Sequence, residues 1–214
     1  MSIVPKLASV MGERGDEADI RLAEAIVKKQ DRIAVQELVS LLHDKNKNIQ
    51  SDCIKTLDEI GYRDATLLSP HLETLLLLLD HKNNRLVWGA MAALDPMATL
   101  HPEVFYKKLP RLLAIAAAGS VITRDRLVNI LARLGAFKKY REEMVQLLLE
   151  QLKSAPQNQL PRYAEQTLPL LGAAEKKSFI NTLNKRLPEM ESLSKKKRLE
   201  KVLKQAMAEG SAKR

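Results

Sequence analysis

The sequence predicts an all-α fold of stacked helix pairs, and three observations predict it. Apolar or small residues recur every 37 positions across most of the chain. Inside each 37-residue unit the apolar positions step by three and four, the spacing of one helix face. The composition suits packed helices. Aromatics make up 4% of the 214 residues, so a core must be Leu, Ile, Val, Ala and Met, and 8 Gly with 9 Pro are few for a turn-rich β protein.

The repeat is read directly from columns. Leu57, Leu94, Leu131 and Leu168 form one; Ile60, Met97, Leu134 and Leu171 another. Leu38, Leu75, Leu112, Leu149 and Leu41, Leu78, Ile115, Leu152 mark a preceding helix. Cys53, Ala90, Leu127 and Ala164 form a small column, and Gly61, Ala98, Gly135 and Gly172 another, suited to helix ends. A helix pair alone cannot bury both of its apolar faces, but stacked pairs share one core.

Taken in order, residues 1–30 are an N-terminal cap whose helix, 17–29, turns Ile20, Ala23 and Val27 inward. Four repeats then fill 31–172, with helices at about 31–43 and 47–60, 70–81 and 84–99, 102–118 and 121–134, 138–154 and 158–171. Polar links such as Asp44-Lys45-Asn46-Lys47-Asn48 and Asp80-His81-Lys82-Asn83-Asn84 break each pair. Residues 173–214 form a basic helical cap with helices at about 174–187 and 194–209, the first carrying Phe179, Ile180, Leu183 and Leu187 and the second Leu199, Val202, Leu203 and Ala206. The whole chain, 1–214, reads as one repeat domain. Pro96, Pro110 and Pro169 fall inside helices and should kink or break them. Residues 1–15 and 210–214 are expected to fray, as is the helix start near Lys195, where cations oppose the helix dipole.

Charge is unevenly distributed. Of a net +9, residues 174–214 contribute 12 Lys and Arg against 5 Glu. With one cysteine no internal disulfide is possible, which suits a reducing compartment. No apolar run approaches the length of a membrane span and the N-terminus has no secretory pattern, so a cytoplasmic location without membrane association is expected.

At the second helix of each unit the chain resembles the HEAT and armadillo repeat family. Leu86-Val87-Trp88-Gly89-Ala90 followed by Leu94, and Ile49-Gln50-Ser51-Asp52-Cys53 followed by Leu57, are similar to the family's Val-Arg-x-x-Ala-x-x-x-Leu pattern. Asp44 matches its turn aspartate. The family's arginine is matched by Arg124, while Gln50, Val87 and Pro161 replace it elsewhere. The resemblance spans about 31–172 and implies a right-handed α-α superhelix, a HEAT-like solenoid of about four helix-pair repeats with helical caps. It also implies that second helices line a concave groove. Opposite the buried stripe of those helices stand Ser51, Lys55 and Asp58; Trp88, Ala92 and Asp95; Asp125, Asn129 and Ala132; Arg162, Gln166 and Pro169. Trp88, with Lys55, Arg85, Arg124 and Arg126, is the candidate binding surface, since an exposed Trp is a common interface anchor.

Candidate chemistry is sparse. His43-Asp44 and Asp80-His81 occupy matching turns, but the other units add no ligand, so solvated turn residues are expected and no metal. The His-Glu pairs of HEAT-like hydroxylases are missing. Cys53 reads as a core thiol, and His71 and His101 as helix-start residues. No phosphate loop, zinc-protease motif or serine-nucleophile elbow occurs. The expected function is therefore non-enzymatic and without cofactor: a scaffold or adaptor binding a protein through its groove. One alternative is nucleic-acid backbone binding through Lys195, Lys196, Lys197, Arg198, Lys201 and Lys204 on the last helix. Another is a HEAT-like alkylpurine DNA glycosylase using Trp88, Asp95 and Asp125. Oligomeric state is not specified by the sequence.

Overall fold

A computed structural model describes residues 2–211. It is all-α and solenoid-like, with no strand among the described residues. The chain forms two compact units, residues 1–127 and 128–214.

The first unit opens with a 3-10 turn, Val4–Lys6, and a short helix α1, Ala8–Met11. Then come α2 (Glu17–Lys29), α3 (Arg32–Leu41) and α4 (Lys47–Asp64). The next first helix is broken: a 3-10 stretch Ala65–His71, α5 (Leu72–Leu77) and a 3-10 turn Leu78–Asp80. It is followed by α6 (Asn84–Met97), α7 (Pro102–Ala118) and α8 (Val121–Gly135), in which the boundary between units falls. The second unit continues with α9 (Arg141–Lys153), α10 (Leu160–Thr167), α11 (Ala173–Arg186) and α12 (Leu193–Ser211). In the first unit α4 packs against α2, α3 and α6; in the second, α9, α10, α11 and α12 pack together.

The 37-residue register is written in the caps as well as the core. Asn46 Oδ1 accepts from Asn48 N at 2.9 Å, Asn83 Oδ1 from Arg85 N at 3.0 Å and Ser120 Oγ from Ile122 N at 3.2 Å, each fixing the N-terminus of the second helix in its repeat. Side chains also bridge neighbouring repeats. Asn83 Nδ2 donates to Gln50 Oε1 at 3.5 Å, Arg111 Nη2 to Asp80 Oδ2 at 2.6 Å, and Gln166 Nε2 to Asn129 Oδ1, 37 residues away, at 2.6 Å. The buried columns are filled by Leu57, Leu94, Leu131, Cys53, Ala90 and Leu127, all at most 1% exposed.

Several expectations need correction. The N-terminal residues are folded: Ile3, Leu7 and Ala8 are buried, and Ile3 N donates to Glu37 Oε2 at 3.1 Å. Met1 and residues 212–214 lie outside the described residues. On α2 the buried face is Ala18, Asp19, Leu22, Ala23 and Ile26, while Ile20 and Val27 are only half-buried. α1 covers the first turn of that helix, so its inner face rotates. Pro110 does not end α7, which runs on to Ala118. Pro96 sits one residue from the end of α6, and Pro169 lies in a 3-10 turn that follows α10. The basic run at Lys195 is helical, with Lys196 N bonded to Ser192 O at 2.9 Å.

Gly61 is also not a helix end. It lies inside α4, where an added Cβ would stand 3.0 Å from the carbonyl oxygen of Ala93 on α6. Gly89 makes the reciprocal approach: its Cβ would fall 2.4 Å from Ile54 Cγ1. Ile54 is fully buried and has nowhere to go. Gly89→Ala gains about 1 kcal/mol of helix propensity, but overpacking a closed core costs up to ~3 kcal/mol. A net loss of about 1–2 kcal/mol is expected, read as a lower urea midpoint.

Candidate functional site

The close approach of α4 and α6 shapes a cavity of about 160 Å³ on the outer side of the second helices. Ile54, Lys55 and Asp58 come from α4; Arg85, Trp88, Gly89 and Ala92 from α6; Ile122 and Arg126 from α8; Asp16 from the loop before α2. The local logic is helical. Lys55 and Asp58 are three apart, as are Arg85 and Trp88, and Trp88 and Ala92 are four apart, so each helix presents one stripe. Position 89 has no side chain, so Ile54 approaches α6 closely there, and Ile54 and Trp88 both line the cavity.

The cations of this cavity already have partners. Lys55 Nζ lies 2.7 Å from Glu59 Oε1, 3.3 Å from Asp16 Oδ2 and 4.0 Å from Asp58 Oδ2. Burial alone would push the Lys55 ammonium down, but Glu59, Asp58 and Asp16 together hold it above its ordinary value. Arg126 Nη1 is 3.4 Å from Asp95 Oδ2, and Asp95 is 2% exposed. Arg85 has a long contact of 3.9 Å to Asp16 Oδ1. Asp58 is the under-compensated group: burial pushes its carboxyl up, and Arg126 and Lys55 only partly offset this.

The structure thus brings Trp88, Lys55, Arg85 and Arg126 together. Arg124 is half-buried and does not line the cavity; on α8 that role falls to Ile122 and Arg126, one turn apart. The glycosylase reading needs Asp95 in the groove, yet Asp95 is buried and engaged by Arg126. In the second unit, the six basic residues of α12 are not equivalent. Lys197, Lys201 and Lys204 are exposed, and Lys195 and Lys196 half-buried. Arg198 grips both carboxylate oxygens of Glu165 on α10. Leu199, Val202, Leu203 and Ala206 are buried, as the apolar stripe predicts.

Of the other singled-out residues, His81 Nδ1 accepts from Asn83 N at 3.0 Å and so serves its turn. His101 Nε2 lies 2.9 Å from Ser69 Oγ. Cys53 is buried, and burial together with Asp52 pushes its thiol far up, away from thiolate chemistry. No group of three or more metal-ligating side chains stands together among the described residues, and no helix is long and apolar enough to cross a membrane.

No periodicity in the chain marks Asp19. It is 3% exposed and its Oδ1 has no hydrogen-bond partner. Burial, then the charges of Asp52 and Asp16, raise its carboxyl to about 7, against an opposing bond from the backbone N–H of Ala8 and the charge of Lys55.

No protein-family model and no curated protein matches the chain. Solved structures do. A crystal structure of an engineered protein is similar at TM-score 0.66 with 17% identity, covering 99% of this chain and 100% of the other. A computationally designed armadillo repeat protein for modular peptide recognition is similar at TM-score 0.64 and 15% identity, covering 89% and 92%. A designed armadillo repeat protein in complex with the peptide (KR)4 is similar at TM-score 0.63 and 15% identity, covering 90% and 86%. The chain therefore has an armadillo/HEAT-like helical repeat fold.

Proposed function

We propose that this protein is a non-enzymatic scaffold that binds an extended segment of a protein partner, with the cavity beside Trp88 seating a basic side chain of that segment. The observation that carries this reading is Asp58, a half-buried carboxylate on the cavity lining whose carboxyl is pushed up by burial that Arg126 and Lys55 only partly offset. An incoming ammonium or guanidinium supplies the missing charge. Its aliphatic stem lies along Trp88, Ile122 and Ala92, and a cation over indole adds about 1 kcal/mol at such a site. Lys55, Arg85 and Arg126 border the entry, with Lys55 and Arg126 already neutralised by Glu59 and Asp95, so they do not repel a cation as free charges would. The designed neighbour that holds (KR)4 supports the same class of ligand.

Trp88 is the one tryptophan of the chain, so its emission reports the cavity directly. Titration with (KR)4 is expected to shift that emission, and Asp58→Asn to weaken binding at least tenfold. Affinity should rise with pH as Asp58 ionises, because only the anion attracts the ligand, and this rise should vanish in Asp58→Asn. An unchanged emission at millimolar peptide, or an equal response to (DE)4, would overturn the reading.

A further inference from the structure

We propose a second binding site, for the phosphate backbone of duplex nucleic acid, on the outer face of α11. It stands in the second compact unit and does not depend on the Trp88 cavity. The net charge of the chain is divided with the fold. Residues 1–127 hold 17 basic and 17 acidic side chains, and residues 128–214 hold 18 and 9, so the whole +9 resides in the second unit. Solubility alone calls for both signs interspersed; a field of one sign concentrated on one unit attracts a polyanion.

Within that unit a cavity of about 450 Å³ is lined by Lys177, Ser178, Asn181, Thr182 and Lys185 of α11 and by Lys153 at the end of α9. These α11 positions are three and four apart and lie opposite the buried Phe179 and Leu183. Lys177 and Lys185 are separated by ~12 Å along the helix axis, with Asn181 between them. No carboxylate lines the cavity. Lys153 does contact Glu150 at 2.5 Å, but both side chains are more than half exposed, and such a pair yields readily to a competing anion.

The residue types select the ligand. Lysine binds phosphate as a compact point charge, whereas an arginine fork serves phosphate and carboxylate alike. Two nearby arginines are occupied: Arg186 by backbone carbonyls and Arg198 by Glu165. Ser, Thr and Asn between lysines are the usual companions of backbone phosphate contacts. The lining holds no aromatic ring to stack an unpaired base, which favours duplex over single strand.

The test is fluorescence anisotropy of the full-length protein with a labelled 20-base-pair duplex at 50 and 300 mM salt. Three lysines on phosphates predict a log–log salt slope of about −2.7. Lys153→Gln/Lys177→Gln/Lys185→Gln is expected to weaken binding at least tenfold and flatten that slope, with far-UV circular dichroism and (KR)4 binding unchanged. Lys197→Gln/Lys201→Gln/Lys204→Gln on α12 should weaken it less than threefold. No binding at 50 mM salt overturns the proposal. So does an unaltered affinity in the α11 triple variant, or tighter binding to poly-glutamate, to anionic vesicles or to the single strand.

Discussion

Asp19→Asn is expected to stabilise the protein by about 2–4 kcal/mol at pH 8 and to leave it nearly unchanged at pH 4. Asp19 is buried under α1, with Asp52 and Asp16 as its nearest like charges, and its carboxyl is raised from 3.8 to about 7. Between those values the folded protein keeps a proton that the unfolded chain has lost. Stability therefore falls as pH rises through that window, and above it the fold carries the full cost of a desolvated anion. An asparagine is nearly the same shape and still accepts the Ala8 N–H, but cannot ionise. The neighbouring carboxylate, Asp52, holds Ser9 N at 2.8 Å and Ser9 Oγ at 2.5 Å, so α1 stays docked in the variant. Urea midpoints of both proteins at pH 4, 6 and 8 decide the matter. A gain that is equal at pH 4 and pH 8 would show that Asp19 is not the titrating group.

This residue also shows where the sequence stops being legible. An acid in the first turn of a helix reads as a surface charge that favours the helix dipole. Its burial comes from a separate segment folding over it, and that contact has no period to betray it. The repeat was legible for the opposite reason. Leu57, Leu94 and Leu131 answer to the same neighbour in every unit, so one packing problem is written several times. The outward stripe was legible only in part: Asp95, placed on it, is buried, while Trp88 and Lys55 line one cavity. Its apolar lining was less so. Gly89 looks like a weak helix residue until Ile54 is seen against it, and Ile122 looks like core until it proves 40% exposed beside the cavity. The sum of charges misled most about α11 and α12. Counting treats Arg186 and Arg198 as members of a free basic surface, yet both are used inside the second unit.

Arg186→Ala is accordingly expected to cost about 3 kcal/mol, the largest loss for any basic residue of the second unit. The last carbonyls of α9 have no partner within their own helix. Arg186 supplies one from α11: Nη1 donates to Leu152 O at 2.9 Å and Lys153 O at 2.8 Å, and Nη2 to Ala155 O at 2.8 Å. Glu189 Oε2 accepts from Nε at 2.6 Å and fixes the plane of the fork. The side chain is only 14% exposed, so water cannot replace it freely once it is cut back. Arg186→Lys should recover less than half of the loss, because an ammonium cannot reach three carbonyls in the geometry of a planar guanidinium. Urea unfolding of the three proteins measures both effects; a change within ~0.5 kcal/mol for Arg186→Ala would place it among ordinary surface substitutions. The same bonds hold Lys153 beside Lys177 and Lys185. Loss of Arg186 should therefore weaken duplex binding along with stability, even though its own charge is turned inward, and a variant that unfolds more easily yet binds the duplex as before would separate the two.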